Sequence, residues 1–81
     1  MKIRLKLFSI AKDLAGFDER VLELPSGASA SSVADHLTSL NPQFKSWQSS
    51  VRMAVNQEYV GQDHMLREND EVAVIPPVSG G

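Results

Sequence analysis

Residues 71–81 read Glu71-Val72-Ala73-Val74-Ile75-Pro76-Pro77-Val78-Ser79-Gly80-Gly81. The first five alternate. Val72 and Val74 point one way, Ala73 and Ile75 the other, which is the period of a strand. Pro76-Pro77 ends that strand, because proline has no N–H to give to a ladder. The residues that follow carry no charged side chain. The chain therefore divides into a folded body, residues 1–75, and an extended arm, residues 76–81.

Working outward, Ile3, Leu5 and Leu7 alternate with Lys2, Arg4, Lys6 and Phe8, the pattern of a half-buried strand. Ser9 to Gly16 reads as a short helical turn, with Ser9 as its cap and Gly16 suited to the left-handed position past its end. Residues 20–24 make a second strand with Leu22 and Leu24 inward, closed by Pro25-Ser26-Gly27. Its spacing from the first strand allows antiparallel pairing. Ser32 followed by Asp35 resembles a capping box. Val33, Leu37 and Leu40 then fall on one helical face, and Asn41-Pro42 closes the helix. Residues 43–50 read as a loop or irregular helical segment that lays Phe44 and Trp47 over the core edge.

Val51, Met53 and Val55 mark a third strand. Asn56-Gln57 is a turn in which the Asn56 side chain can cap the backbone. Glu58-Tyr59-Val60 is a short fourth strand, and residues 61–70 form a polar segment plugged by Met65 and Leu66. One main helix laid across such a sheet is an α+β arrangement.

Eighty-one residues hold one core and leave no room for a deep cleft. A net charge of −2 lacks the basic footprint of a nucleic-acid binder. The chain has no cysteine, which excludes a disulfide, a thiolate-bound metal and a redox thiol. His36 and His64 have no second ligand at metal spacing, so both read as surface residues and no metal is expected. Glu68, Asp70 and Glu71 read as a solvated turn. The first residues lack the apolar run of a signal peptide, and no stretch is apolar enough to span a membrane. A cytoplasmic protein without membrane contact is the expectation.

The chemistry concentrates in the arm. Gly80 and Gly81 have no Cβ, so another protein's backbone can approach them closely. Pro76 and Pro77 favour an extended course. Six such residues reach at most ~20 Å, enough for the body to rest on a partner while Gly81 enters its active site. The arm is expected to be mobile in the free chain. A terminal carboxylate is an anion at neutral pH and a poor electrophile, so it reacts only after activation, for example as an acyl-adenylate. A sulfur nucleophile can then displace AMP and leave a thiocarboxylate. The chain has no Walker-type loop, so ATP must be used by another protein.

The opposite face of the sheet offers a docking surface. If Ile3, Leu5, Leu7, Met53, Val55, Val72 and Val74 face the helix, then Phe8, Ala54, Ala73 and Ile75 lie on the other side, with Tyr59 beside them. An apolar patch on a small domain marks an interaction site.

Phe8 with the short helix ending at Gly16, Ala54-Val55-Asn56-Gln57 leading to Tyr59-Val60, and above all Asp70-Glu71-Val72-Ala73 with Ile75-Pro76-Pro77-Val78-Ser79-Gly80-Gly81 resemble the ubiquitin-like MoaD/ThiS family of sulfur carriers. The resemblance covers essentially the whole chain. It implies a ubiquitin-like β-grasp fold, a mixed sheet on one main helix. It implies an E1-like adenylyltransferase that activates Gly81, a persulfide sulfur donor, and the large subunit of molybdopterin synthase. There the thiocarboxylate on Gly81, threaded in behind Pro76, Pro77, Val78, Ser79 and Gly80, would give its sulfur to cyclic pyranopterin monophosphate in molybdenum cofactor biosynthesis. Catalytic acid and base residues are then expected on the large subunit, and no cofactor on this chain. The sequence departs from the family at Ser9 to Asp13, where relatives often carry an arginine, and at Asn69, where many have glycine. A sulfur carrier for thiamin or another sulfur-containing product, and a ubiquitin-like protein modifier that forms isopeptide bonds through Gly81, are the alternatives.

Overall fold

The computed structural model describes residues 1–47 and 51–75, apart from the Trp47 side chain. The expectations for packing of Trp47, for residues 48–50 and for the arm 76–81 lie outside the described residues.

Five strands form one mixed sheet: β1 (Lys2–Leu7), β2 (Glu19–Glu23), β3 (Arg52–Val55), β4 (Glu58–Val60) and β5 (Glu71–Ile75), in the order β2-β1-β5-β3-β4. β1 pairs antiparallel with β2, as the spacing allowed, and β3 pairs antiparallel with β4. β5 joins the two hairpins from the middle. It runs parallel to β1, with Leu5 opposite Val72 and Leu7 opposite Val74. It runs antiparallel to β3, with Met53 opposite Val74 and Val55 opposite Val72. The register puts the alternating apolar residues of all three strands on one face.

Two α-helices, α1 (Ser9–Ala15) and α2 (Ala30–Leu40), and a 3₁₀ helix (Pro42–Trp47) complete the described fold. α2 lays Ala30, Val33, Ala34 and Leu37 against the sheet. Ile3, Leu5, Leu37, Val33, Val72 and Val74 are almost completely excluded from water. Burying a side chain of this size contributes about 1.5–3 kcal/mol each. Phe44 and Leu66 close the core at its edges, as their apolar character predicts.

Four local expectations are corrected. The first concerns the residue that caps the start of α2, which is Ser29 and not Ser32. Ser32 Oγ accepts the Ser29 N–H at 3.3 Å, and Ser29 Oγ lies 2.7 Å from Ser31 Oγ. The cause lies outside the helix: the Ala30 and Ser31 N–H groups donate to His64 O and Gln62 O, each at 2.9 Å. The segment after β4 thus supplies acceptors to helix donors that lack an internal partner.

Second, Leu40 is exposed. It is the last residue of α2, and Asn41 then turns the chain, its Nδ2 donating to Leu14 O at 3.3 Å. Third, Met65 is exposed while Leu66 is buried. Met65 bridges to Ser29 in an extended segment, where neighbouring side chains point to opposite sides. Fourth, Ser9 is the first residue of α1 rather than its cap. Phe8 stays extended (φ −124°, ψ 152°), so the change of direction falls on Ser9, at φ +53°. Gly16 behaves as expected: at φ +89° it closes α1 and donates its N–H to Lys12 O at 2.9 Å.

Candidate functional site at the end of the last strand

Ile75 is the last described residue, and the arm begins after it. Its place is fixed by β5: Arg52 is its partner on β3, while Leu7 pairs with Val74, one residue earlier. Phe8 and Ile75 each follow that pair, so both sit at the same end of the sheet, on the side away from α2.

The residues expected on the docking surface differ in exposure. Phe8 is 47% exposed and Tyr59 67%. Ala73 and Ile75 are half-buried. Ala54, expected on this surface, lies on the right face but is buried, between its register partners Tyr59 and Ala73. A side chain so short cannot rise above its neighbours. The Arg52 guanidinium sits 5.5 Å from the Tyr59 ring centre, within cation–π range, and adds a positive edge to the patch.

Beside the patch runs a short charged row. Lys6 Nζ lies 2.6 Å from Glu71 Oε1 and 3.8 Å from Glu19 Oε1. The hydrogen bond and charge of Glu71 raise the Lys6 pKa above its ordinary value. The same hydrogen bond holds Glu71 below the usual carboxylate range, against a smaller opposing effect of burial.

The acidic run does not form a solvated turn. Glu68 Oε1 accepts the Lys2 N–H at 3.0 Å. Asp70 is the buried charged residue of the described chain, and both its oxygens are engaged. Oδ1 accepts from Asn56 Nδ2 at 3.0 Å, and Oδ2 from the Arg67 N–H at 2.8 Å. Asn56 Oδ1 in turn accepts the Glu71 N–H at 3.0 Å. The sequence assigns Asn56 to a turn correctly: Asn56 and Gln57 take φ +51° and +72°, the two left-handed positions of a tight hairpin. Its long-range partner Asp70 is missed, because nothing local marks an aspartate as buried. Asn69 adopts φ +70°, which explains why glycine also suits that position.

Among the described residues no group of three or more His, Asp or Glu side chains could hold a metal. No helix there is long and apolar enough to cross a membrane. Gly81, Gly80, Ser79, Val78, Pro77 and Pro76 lie outside the described residues, so the body shows only the platform from which they depart.

The ThiS family pattern matches residues 5–81. This chain belongs to the ThiS family. An Arabidopsis thaliana relative, the molybdopterin synthase sulfur carrier subunit, is 35% identical over 81 residues, covering 100% of this chain and 84% of its own. The Dictyostelium discoideum protein of the same name is 39% identical over 83 residues, covering 99% and 96%. Among solved structures, a Pyrococcus furiosus protein described as a candidate molybdopterin converting factor, subunit 1, superposes with a TM-score of 0.83 at 34% identity, over 96% of this chain and 99% of that one. A Helicobacter pylori structure, described as a complex of subunits 1 and 2 of molybdopterin-converting factor, contains the same fold, with a TM-score of 0.66 at 17% identity and coverage of 100% of both chains. The ThiS-family chain thus has the ubiquitin-like β-grasp fold.

Proposed function

We propose that this chain is the sulfur carrier subunit of a molybdopterin synthase. The observation that carries the reading is the family match running through Gly81, shared with full-length relatives that bear this name. The fold supports it. Its last described strand ends at Ile75, and the apolar residues Phe8 and Tyr59 are exposed on the same face of the sheet.

In this reading an E1-like partner joins the Gly81 carboxylate to AMP, releasing pyrophosphate from ATP. The outer sulfur of a persulfide donor attacks the acyl carbon and AMP leaves. Cleavage of the remaining S–S bond by a thiol frees the thiocarboxylate. The body then rests on the large subunit through the apolar patch, and Pro76 to Gly80 carry the thiocarboxylate to bound cyclic pyranopterin monophosphate. The product has two dithiolene sulfurs, so two loaded carriers serve each product. This chain contributes no acid or base; those groups belong to the large subunit. The cytoplasm, where these partners would be met, is the proposed compartment.

Two measurements test this. Mass spectrometry of cell-isolated protein should show one oxygen replaced by one sulfur at the C-terminus; lysine conjugates in its place would mark a protein modifier. Deleting Gly81, or adding one residue beyond it, should abolish conversion of the precursor by the reconstituted synthase. Conversion that survives either change overturns the reading.

A further inference from the structure

We infer that Asn56 and Asp70 are positioning residues that set how far the reactive arm extends, by anchoring the entry of the strand that bears it. The inference rests on the sulfur-carrier reading.

β5 is both a core strand and the base of the arm. Sliding it along its neighbours moves everything beyond by about 3.3 Å per residue. A slide of one residue would turn Val72 and Val74 out of the core, so packing opposes it strongly. A slide of two keeps the faces, and so does loosening of the first residues of the strand. Packing alone resists these less. Something must pin the entry end.

The polar cluster at that end does so. It ties three strands to one point. The Arg4 N–H of β1 donates to Asp70 O at 2.8 Å. Asn56, just past β3, gives its N–H to Glu71 O at 2.8 Å and accepts the Glu71 N–H on its side chain at 3.0 Å. Its side-chain Nδ2 donates to Asp70 Oδ1, and Asp70 Oδ2 accepts the Arg67 N–H. Each donor faces an acceptor, and the carboxylate is buried. Such a network is satisfied in one register only. Displacing it leaves a buried charge with unmade hydrogen bonds, which is costly. The turn itself needs a left-handed residue at position 56 but not a bond to Asp70. The long-range half of the arrangement therefore serves β5.

The hydrogen bonds predict an exchange experiment. Asp70→Asn alone must present an NH₂ either to Asn56 Nδ2 or to the Arg67 N–H, so one pairing becomes donor against donor. Asn56→Asp alone sets two carboxylates against each other. In the double exchange, Asn56→Asp with Asp70→Asn, every pairing is restored. The carboxylate at position 56 accepts from Glu71 N–H and from the new amide, whose oxygen accepts from Arg67 N–H. Both residue types tolerate the left-handed conformation at position 56.

The test uses thiocarboxylated full-length chains with the synthase large subunit and bound precursor. It measures single-turnover sulfur transfer, partner affinity and amide hydrogen exchange at Glu71 and Val72. Asp70→Asn and Asn56→Ala should slow transfer about tenfold to a hundredfold, the effect of a displacement on the order of 1 Å at a reacting atom. Affinity should change less than threefold, and amide exchange at the strand entry should quicken. The double exchange should restore both transfer and protection. The inference is overturned if folded single variants transfer sulfur at the parent rate, or if the double exchange recovers protection without recovering transfer. A parent chain that fails to convert precursor would instead overturn the sulfur-carrier reading, so the two failures are distinct.

Discussion

The two faces of the sheet are built from the same strands and do opposite things. Toward α2, Ile3, Leu5, Leu7, Met53, Val72 and Val74 are all buried. Toward the other side, Lys6, Glu71 and Glu19 form a charged row, while Tyr59 stands largely uncovered, Phe8 about half so, and Ile75 half-buried. Because side chains alternate, each residue of β5 serves the face opposite to its neighbour's. Val74 holds the fold and Ile75 beside it is offered outward. The proposed role, in which several proteins grip the carrier in turn, would need this separation, since contacts on the free face could then vary without disturbing the core.

The largest effect that would test the separation lies on the helix side. Leu37→Ala should cost about 2–5 kcal/mol of stability. Below its melting temperature the variant should bind the large subunit as the parent does, by urea denaturation and titration calorimetry. Weakened binding by fully folded variant would show that the faces are coupled.

The middle-sized effect lies on the free face. Phe8→Ala and Ile75→Ala should each weaken partner binding by about 1–2 kcal/mol, the range expected for anchor residues of an interface. Phe8→Ala should leave the melting temperature nearly unchanged; Ile75→Ala, at a half-buried site, should lower it slightly. Unaltered affinity in both would remove the docking surface.

The smallest effect concerns the row Lys6–Glu71. The Glu71 pKa is lowered, so its contribution is present above the ordinary carboxylate range and lost as pH falls through the lowered folded value. The Lys6 pKa is raised, so its contribution is present below the ordinary lysine value and lost as pH rises through the raised folded value. Glu71→Gln should therefore be less stable than the parent at neutral pH, and the gap should close in acid. A gap that persists at the acid end would assign the effect to packing instead.

Much of this was legible in the sequence because it is periodic. β1 and β5 declare themselves through strict alternation, and Val33 with Leu37 declares the helix. Where several residues can play one role, local pattern does not choose among them. Ser29, Ser31 and Ser32 are all competent caps, and the choice fell to Ser29 because Gln62 and His64 bring their carbonyls to Ala30 and Ser31. That is a contact across more than thirty residues, which no local pattern records. Ala54 lies on the expected face yet is buried, because exposure depends on the height of neighbouring side chains. Asp70 lies in a polar run that predicts a solvated turn, yet it is buried, because burial of a carboxylate depends on partners distant in sequence. The positions most dependent on tertiary contact were the least readable.

The central place of β5 has a consequence for how the protein is made. Residues 71–75 are synthesised after the other four strands of the sheet, yet they join β1 to β3. A nascent chain that stops short of them holds two separate hairpins and no continuous sheet, with Leu5 and Val55 lacking their neighbour. Cooperative folding must then wait until this segment has left the ribosome, and it closes contacts between distant ends of the chain, which slows it. A truncated product missing this segment cannot complete the sheet, and stays exposed to proteolysis. Native structure thereby acts as a checkpoint that the strand bearing the arm has been made.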